Sequence, residues 1–275
     1  MTTDTDVTAG HWITAGGIST HYHDAGHGDP VLLLHGSGPG VSAWSNWQLT
    51  IGALARRFRV VAPEMVGYGS TERPDGIRYG VATWVEHVLA FLDALDLPRV
   101  SIVGNSMGGL VALHIAQRHP ERLHRLVLMG APGVGMRPTD GLAALRAYEP
   151  SRETMRTLLT EFFAHDPAIV SDDLVESRYR ASTAPGAHEA YRAMFHDPRH
   201  GGDDLALDEP GVRAVAVPTL LVHGREDRVI PVDVAWTMAG LLPHADLHVF
   251  AGCGHWTQIE RAAPFNKIVS DFLEA

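Results

Sequence analysis

An apolar run near the middle of the chain, Val100-Ser101-Ile102-Val103, stops at Gly104-Asn105-Ser106-Met107-Gly108-Gly109, and an alanine-rich helical pattern follows. A buried strand that turns into a helix within so few residues leaves almost no room for side chains at the turn. Glycine lacks a Cβ and tolerates both the crowding and the strained backbone. The order strand–Gly-x-Ser-x-Gly–helix displays a serine hydroxyl at the carboxyl end of a sheet, the arrangement of a nucleophile elbow. Short strings of this kind also arise by chance in glycine-rich loops. The rest of the chain therefore has to supply a base for Ser106.

The surrounding pattern favours a sheet that holds such a turn. Residues 11–24 read as two short strands about Ala15-Gly16-Gly17, a hairpin signal. Val31-Leu32-Leu33-Leu34, Arg59-Val60-Val61-Ala62, Leu126-Val127-Leu128-Met129, Thr219-Leu220-Leu221-Val222 and Leu247-His248-Val249-Phe250 read as further strands. Helical patterns lie between them at 44–57, 81–95, 106–118, 232–242 and 260–273, the second carried by Val81, Trp84, Val85, Val88, Leu92 and Leu95. Continuous apolar strands alternating with helices predict a mostly parallel α/β sheet covered on both faces. Residues 134–208 break the rhythm, with charged helical patterns at 151–164 and 171–181 and no buried strand. They read as a helical lid between two parts of one core, 1–133 and 209–275, because insertions at the carboxyl ends of strands line the site in open α/β sheets.

Composition narrows the function classes. The chain has 275 residues and a net charge of −10, which disfavours nucleic acid and anionic membranes as partners. An anionic substrate would then need a local cation. No apolar run is long enough to span a bilayer, and the polar, acidic Met1-Thr2-Thr3-Asp4-Thr5-Asp6 is unlike a signal peptide. One cysteine excludes an internal disulfide framework and fits a reducing cytoplasm.

A serine nucleophile needs a general base, and the base needs an orienting carboxylate, in the chain order Ser, Asp or Glu, His for this architecture. Two segments past buried strands fit that order: His223-Gly224-Arg225-Glu226-Asp227-Arg228 and Ala251-Gly252-Cys253-Gly254-His255-Trp256. His255 is the candidate base among 17 histidines because it follows both a strand and a glycine turn. Asp227 and its neighbour Glu226 are the candidate acids. Backbone N–H groups for an oxyanion are expected from Met107 and from the loop His35-Gly36-Ser37-Gly38-Pro39-Gly40. The string Gly38-Pro39-Gly40-Val41-Ser42-Ala43, with Glu64 ending the next strand, also resembles a dinucleotide fingerprint. Proline inside the turn argues against it, and that reading leaves Ser106, Asp227 and His255 without a role. No group of His, Cys or Asp has metal-ligand spacing along the chain. Neither a metal nor a cofactor is expected, and Cys253 reads as a small packing residue.

Together these segments resemble the α/β-hydrolase superfamily from about residue 12 onward. Leu34-His35-Gly36-Ser37-Gly38-Pro39-Gly40 with Trp44-Ser45-Asn46-Trp47, Val103 to Gly109, Gly224 to Pro231, and Cys253-Gly254-His255-Trp256-Thr257-Gln258-Ile259-Glu260 are similar to the meta-cleavage product hydrolases, most of all to 2-hydroxymuconate semialdehyde hydrolases. Glu64 departs from the aspartate common at its position. The resemblance implies an eight-stranded, mostly parallel sheet. It prefers Asp227 over Glu226 and implies Ser106, Asp227 and His255 as catalytic, with Ser37 and Met107 at the oxyanion hole. It also implies Gly38, Asn46, Asn105, Arg178 and Trp256 as contacts to a small-molecule dienoate, Arg178 rather than its neighbour Arg180. The implied reaction is C5–C6 cleavage of a 2-hydroxy-6-oxo-hexa-2,4-dienoate, through its keto tautomer, to 2-hydroxypenta-2,4-dienoate and an acid such as formate. Attack by Ser106 and attack by a water that the triad activates both remain open, as does the group at C6. A homo-oligomer, dimer or larger, is implied as well. A carboxylesterase of the same fold and a non-catalytic ligand sensor are the alternatives that the residues alone allow.

Overall fold

The computed structural model describes residues 8–196 and 207–275. Eight strands form one sheet in the order β1-β2-β4-β3-β5-β6-β7-β8: β1 (His11–Ala15), β2 (Ile18–Gly26), β3 (Pro30–Leu34), β4 (Arg59–Pro63), β5 (Val100–Asn105), β6 (Leu123–Met129), β7 (Thr219–Gly224) and β8 (Ala245–Phe250). Strand β2 runs antiparallel to both its neighbours, β1 and β4, and β3 through β8 are all parallel. The parallel strands therefore deliver their carboxyl ends to one edge.

Period-two alternation sorts the strand residues onto two cores. Leu32, Leu34, Val61, Ile102, Leu126, Leu128 and Leu221 face one side. There they meet α2 (Val81–Ala94), α3 (Met107–Arg118) and α9 (Val232–Leu241). Val31, Leu33, Val60, Val103, Val127 and Val222 face the other, under Trp47, Ile51 and Leu54 of α1 (Ala43–Leu54) and Phe265, Val269 and Leu273 of α11 (Ala262–Glu274). Every residue of β5 is buried, as a strand covered on both faces requires. The last helix, expected as one piece, is two: α10 (Thr257–Glu260) and α11. Pro264 lies in the first turn of α11, where proline is tolerated; continuing the helix backward would set its ring against the carbonyl of Glu260.

Between β6 and β7 the chain forms α4 (Asp140–Arg146), α5 (Arg152–Leu158), a π-helical turn at Leu159–Phe163, a 3-10 turn at Pro167–Ile169, α6 (Asp172–Ser182) and α7 (Ala187–His196). Their apolar sides, including Leu145, Met155, Leu159, Phe163, Val175 and Tyr191, join the core on the α2–α3 side. Residues 197–206 of the expected lid lie outside the described residues. A short α8 (Glu209–Arg213) leads into β7. Among the described residues no helix is long and apolar enough to cross a membrane.

Helix α3 is buried along residues 107–116 and approaches β3 and β5 through its glycines. A Cβ on Gly108 would stand 2.3 Å from the Leu34 carbonyl oxygen, and one on Gly104 would stand 2.5 Å from the Gly108 oxygen. These are backbone atoms that cannot swing aside. Gly108→Ala is expected to cost about 2–3 kcal/mol through overpacking, read as a lower urea midpoint; an unchanged midpoint would refute this account of the elbow's glycines.

Candidate active site

Ser106 sits between β5 and α3 at φ 52° and ψ −117°, one of two non-glycine residues with positive φ among those described. The left-handed backbone costs free energy and is held by its surroundings. The Ser106 N–H donates to the Met129 carbonyl at 2.8 Å, and Gly104, Gly108 and Gly109 leave space where any side chain would collide. The result is a serine facing a small cavity that is also lined by Gly36, Ser37, Gly38, Asn46, Asn105 and His255.

The candidate acid and base lie in the loops after β7 and β8. His255 Nδ1 lies 2.7 Å from Asp227 Oδ2, and both side chains are buried. The other carboxylate oxygen, Oδ1, accepts the N–H groups of Val229 at 2.8 Å and Ile230 at 2.9 Å. His223 Nε2 approaches Oδ2 at 3.3 Å. Burial opposes charge on Asp227, but His255 and His223 outweigh it and hold the carboxyl well below the usual carboxylate range. Asp227 is thus an ionised, fully oriented partner for the imidazole. Its rival Glu226 faces elsewhere: it pairs with Arg225 at 2.7 Å and accepts the Cys253 N–H at 3.0 Å.

Ser37 and Gly38 line the cavity, and Met107 opens α3 directly after the serine. Asn46 Oδ1 accepts the Gly36 N–H at 3.3 Å, while its buried Nδ2 has no partner among the described residues. Asn105 Nδ2 donates to the Met129 carbonyl at 3.4 Å. The Ser42–Ser45 capping box closes the amino end of α1, the end a pyrophosphate would need.

Arg178, on α6, is brought to the same cavity and is 5% exposed. Its Nη1 donates to Ser45 Oγ at 2.8 Å and the Gly40 carbonyl at 3.3 Å, and its guanidinium lies 5.9 Å from the Trp256 ring centre. Its Nε has no hydrogen-bond partner among the described residues, and no carboxylate there pairs with it. Burial lowers its pKa to about 10, so the group is still a cation at neutral pH. Arg180 points outward and pairs with Glu176. Gly40, at φ +64°, lets the loop pass under α6: a Cβ there would stand 2.3 Å from the Arg178 carbonyl oxygen.

Several participants carry no signal in the sequence read alone. Phe163 ends the π-helical turn and packs on His255 and Trp256, with ring centres 5.4 and 5.1 Å away. Its carbonyl accepts the His255 N–H at 2.8 Å. Glu260 binds both sides of the same junction: Oε1 accepts the Gly254 N–H at 2.8 Å, and Oε2 accepts those of His165 at 2.9 Å and Asp166 at 3.2 Å. The histidine loop and the inserted helices are therefore fastened together by one backbone bond and by the Glu260 carboxylate. Leu145 closes the cavity from α4. Away from the cavity, β2 and the end of β4 gather His21, His23 and Glu64, three potential metal ligands whose grouping the chain spacing hides.

The profile of the alpha/beta hydrolase fold family matches residues 29–262. A 2-hydroxy-6-oxo-2,4-heptadienoate hydrolase of Pseudomonas putida is 50% identical over 274 residues, covering 99% of each chain. A 2-hydroxymuconate semialdehyde hydrolase of Pseudomonas sp. (strain CF600) is 50% identical over 96% of this chain and 93% of its own. Among solved structures, a meta-cleavage product hydrolase from Pseudomonas fluorescens IP01, a serine-to-alanine variant complexed with acetates, superposes with a TM-score of 0.93. It is 47% identical, over 96% of this chain and 97% of that one.

Glu260→Ala strands the part-buried Gly254 N–H and frees the two amides of the inserted segment. A loss of about 1–3 kcal/mol is expected, measured by urea unfolding. Amide exchange at Gly254, His165 and Asp166 is expected to accelerate together. Exchange that quickens at Gly254 alone would show that the carboxylate does not tie the two segments.

Proposed function

The chain belongs to the meta-cleavage product hydrolases of the alpha/beta hydrolase fold family, and from that premise we propose that it hydrolyses the C5–C6 bond of 2-hydroxy-6-oxo-hexa-2,4-dienoates with hydrogen or methyl at C6. The observation that carries this reading is the buried, unpaired Arg178 cation in the cavity that holds Ser106 and His255. A neutral ester offers nothing to such a charge. A dienoate has a C1 carboxylate and a C2 oxygen that a guanidinium can grip in bidentate fashion. A cation held out of water without a partner is costly until the carboxylate arrives, which favours anionic over neutral substrates.

In this reading the dienoate lies with C1 at Arg178 and C6 above Ser106. His255 moves the proton from the 2-hydroxyl to C5, which makes the 2-keto tautomer. Ser106 Oγ then attacks C6 while His255 takes its proton, and the oxyanion is held by N–H groups at Ser37 and Met107. The C5–C6 bond breaks, its electrons pass through C3–C4 to the C2 oxygen, and His255 returns the proton there. The first product is 2-hydroxypenta-2,4-dienoate. Water, deprotonated by His255, then releases the acyl group from Ser106 as formate or acetate. Asp227 keeps the imidazole oriented and balances its positive charge. Gly38, Asn46, Asn105 and Trp256 surround the dienoate.

The cavity itself, about 10 Å³, holds no more than one water. A dienoate is larger than that space, and in this reading the inserted segment 134–208, between the core segments 1–133 and 209–275, is a lid that opens to admit it. A small C6 group is supported by the two relatives named for a semialdehyde and a heptadienoate. A cytoplasmic homo-oligomer belongs to the same reading, with the exposed Trp236 as a candidate for burial between copies.

Purified protein mixed with ring-opened catechol or 3-methylcatechol is expected to bleach the yellow dienolate and release one equivalent of acid. A 6-phenyl dienoate is expected to react much more slowly. Ser106→Ala is expected to lower kcat by about a thousandfold or more while still binding dienolate. Arg178→Ala removes the partner of a buried carboxylate and is expected to lower kcat/KM on dienoates by about a hundredfold or more. Hydrolysis of a neutral ester is expected to change much less. Equal losses on both substrates, or no bleaching of any dienoate, would overturn the reading.

A further inference from the structure

The geometry points to a divalent metal site, of the kind that takes zinc, formed by His21 and His23 of β2 and Glu64 just past β4. None of the three residues lines the serine cavity, and the site plays no part in the proposed reaction. Three observations converge. The first is the placement of ligand atoms: each of the three residues presents one, and all lie within 4.8 Å of one another. His21 Nδ1 and Glu64 Oε2 are 3.1 Å apart. Two atoms each bonded to zinc at about 2.0–2.2 Å lie about 3–4 Å apart, so this pair is already at metal-bound spacing. The third ligand, His23, is buried beside them, its ring centre 5.3 Å from that of His21.

The second observation is how the ligands are oriented. His21 Nε2 lies 3.1 Å from the Ala9 carbonyl oxygen. Donation there puts the proton on Nε2 and leaves the Nδ1 lone pair facing a carboxylate oxygen, an arrangement a bound cation relieves. Metal-bound histidines characteristically donate their other N–H to a carbonyl in this way. The close approach depends on Gly10, whose Cβ would stand 2.3 Å from His21 Nε2. Glu64 is held as firmly: Oε2 accepts the Ser70 N–H at 2.6 Å, and a Cβ on Gly69 would stand 2.2 Å from its carboxyl carbon.

The third is access. His21, His23 and Glu64 all line a cavity of about 340 Å³ that shares Gly38 and Val41 with the serine cavity. Two imidazoles and one carboxylate leave coordination positions open toward that space for water or a small oxygen ligand. Imidazole nitrogen with one carboxylate suits zinc and its neighbours in the first transition row better than calcium or magnesium. The ion would brace the loop after β4, in which the Tyr68 hydroxyl reaches Met107 Sδ at 3.6 Å.

The rival is a second proton on His21, making an imidazolium–carboxylate pair with Glu64. Full-length protein without a histidine tag, stripped with chelator and titrated with Co²⁺ alone, distinguishes the two. A stoichiometric visible absorption band is expected, displaced by one equivalent of Zn²⁺. His21→Asn and Glu64→Gln, each near in size to the original, are expected to weaken Co²⁺ binding at least tenfold while dienoate turnover remains. Absence of a stoichiometric band in the wild type would overturn the site, as would an unchanged band in both variants. If either variant fails to fold, X-ray absorption of the wild-type zinc form decides. A shell of two imidazoles and a carboxylate supports the site; any other shell refutes it.

Discussion

The parallel run of β4, β3, β5, β6, β7 and β8 is the constraint on which the site depends. Parallel strands end on one edge. The loop after β3, the serine after β5, Asp227 after β7 and His255 after β8 therefore meet although they are far apart in the chain. No single one of these loops has chemistry of its own. The register of the central strands fixes their separations, and fully buried residues on β5 and β7 hold that register against slippage, which would turn core side chains outward.

The elbow and the buried carboxylate are two solutions to the problem of holding costly groups in place. Ser106 keeps a left-handed backbone because glycines on both sides let β5 and α3 close on it. Asp227 keeps its charge inside the protein because two N–H groups and two imidazoles take up its oxygens. Arg178 differs from both: it is as deeply buried, yet among the described residues its hydrogen bonds go to neutral oxygens. In the proposed reading that difference leaves the guanidinium for the substrate carboxylate.

The legible parts of the chain were those where chemistry and local pattern coincide. Glycine spacing marks the elbow, and apolar runs mark the strands that carry Asp227 and His255. The choice of Asp227 over Glu226 and of Arg178 over Arg180 came from resemblance, since adjacent residues of one charge have no local distinction; in the structure opposite orientations separate each pair. Phe163 contributes a carbonyl oxygen and a ring edge, and neither has a signature in composition or period. Glu260 acts through contacts across elements, visible only once the loop after β8 and the inserted helices are packed, and His223 meets Asp227 through the turn of the loop after β7. His21, His23 and Glu64 belong to antiparallel neighbours, so their meeting depends on the β2–β4 register rather than on spacing along the chain.

The hydrogen bond from the His255 backbone N–H to the Phe163 carbonyl joins the loop after β8 to the inserted helices. On the proposed reading, in which those helices form a lid and His255 is the base, a motion of the lid would be felt at the base: opening would break this bond, and closing over a dienoate would restore it. Enclosing the substrate and seating the base would then be a single event.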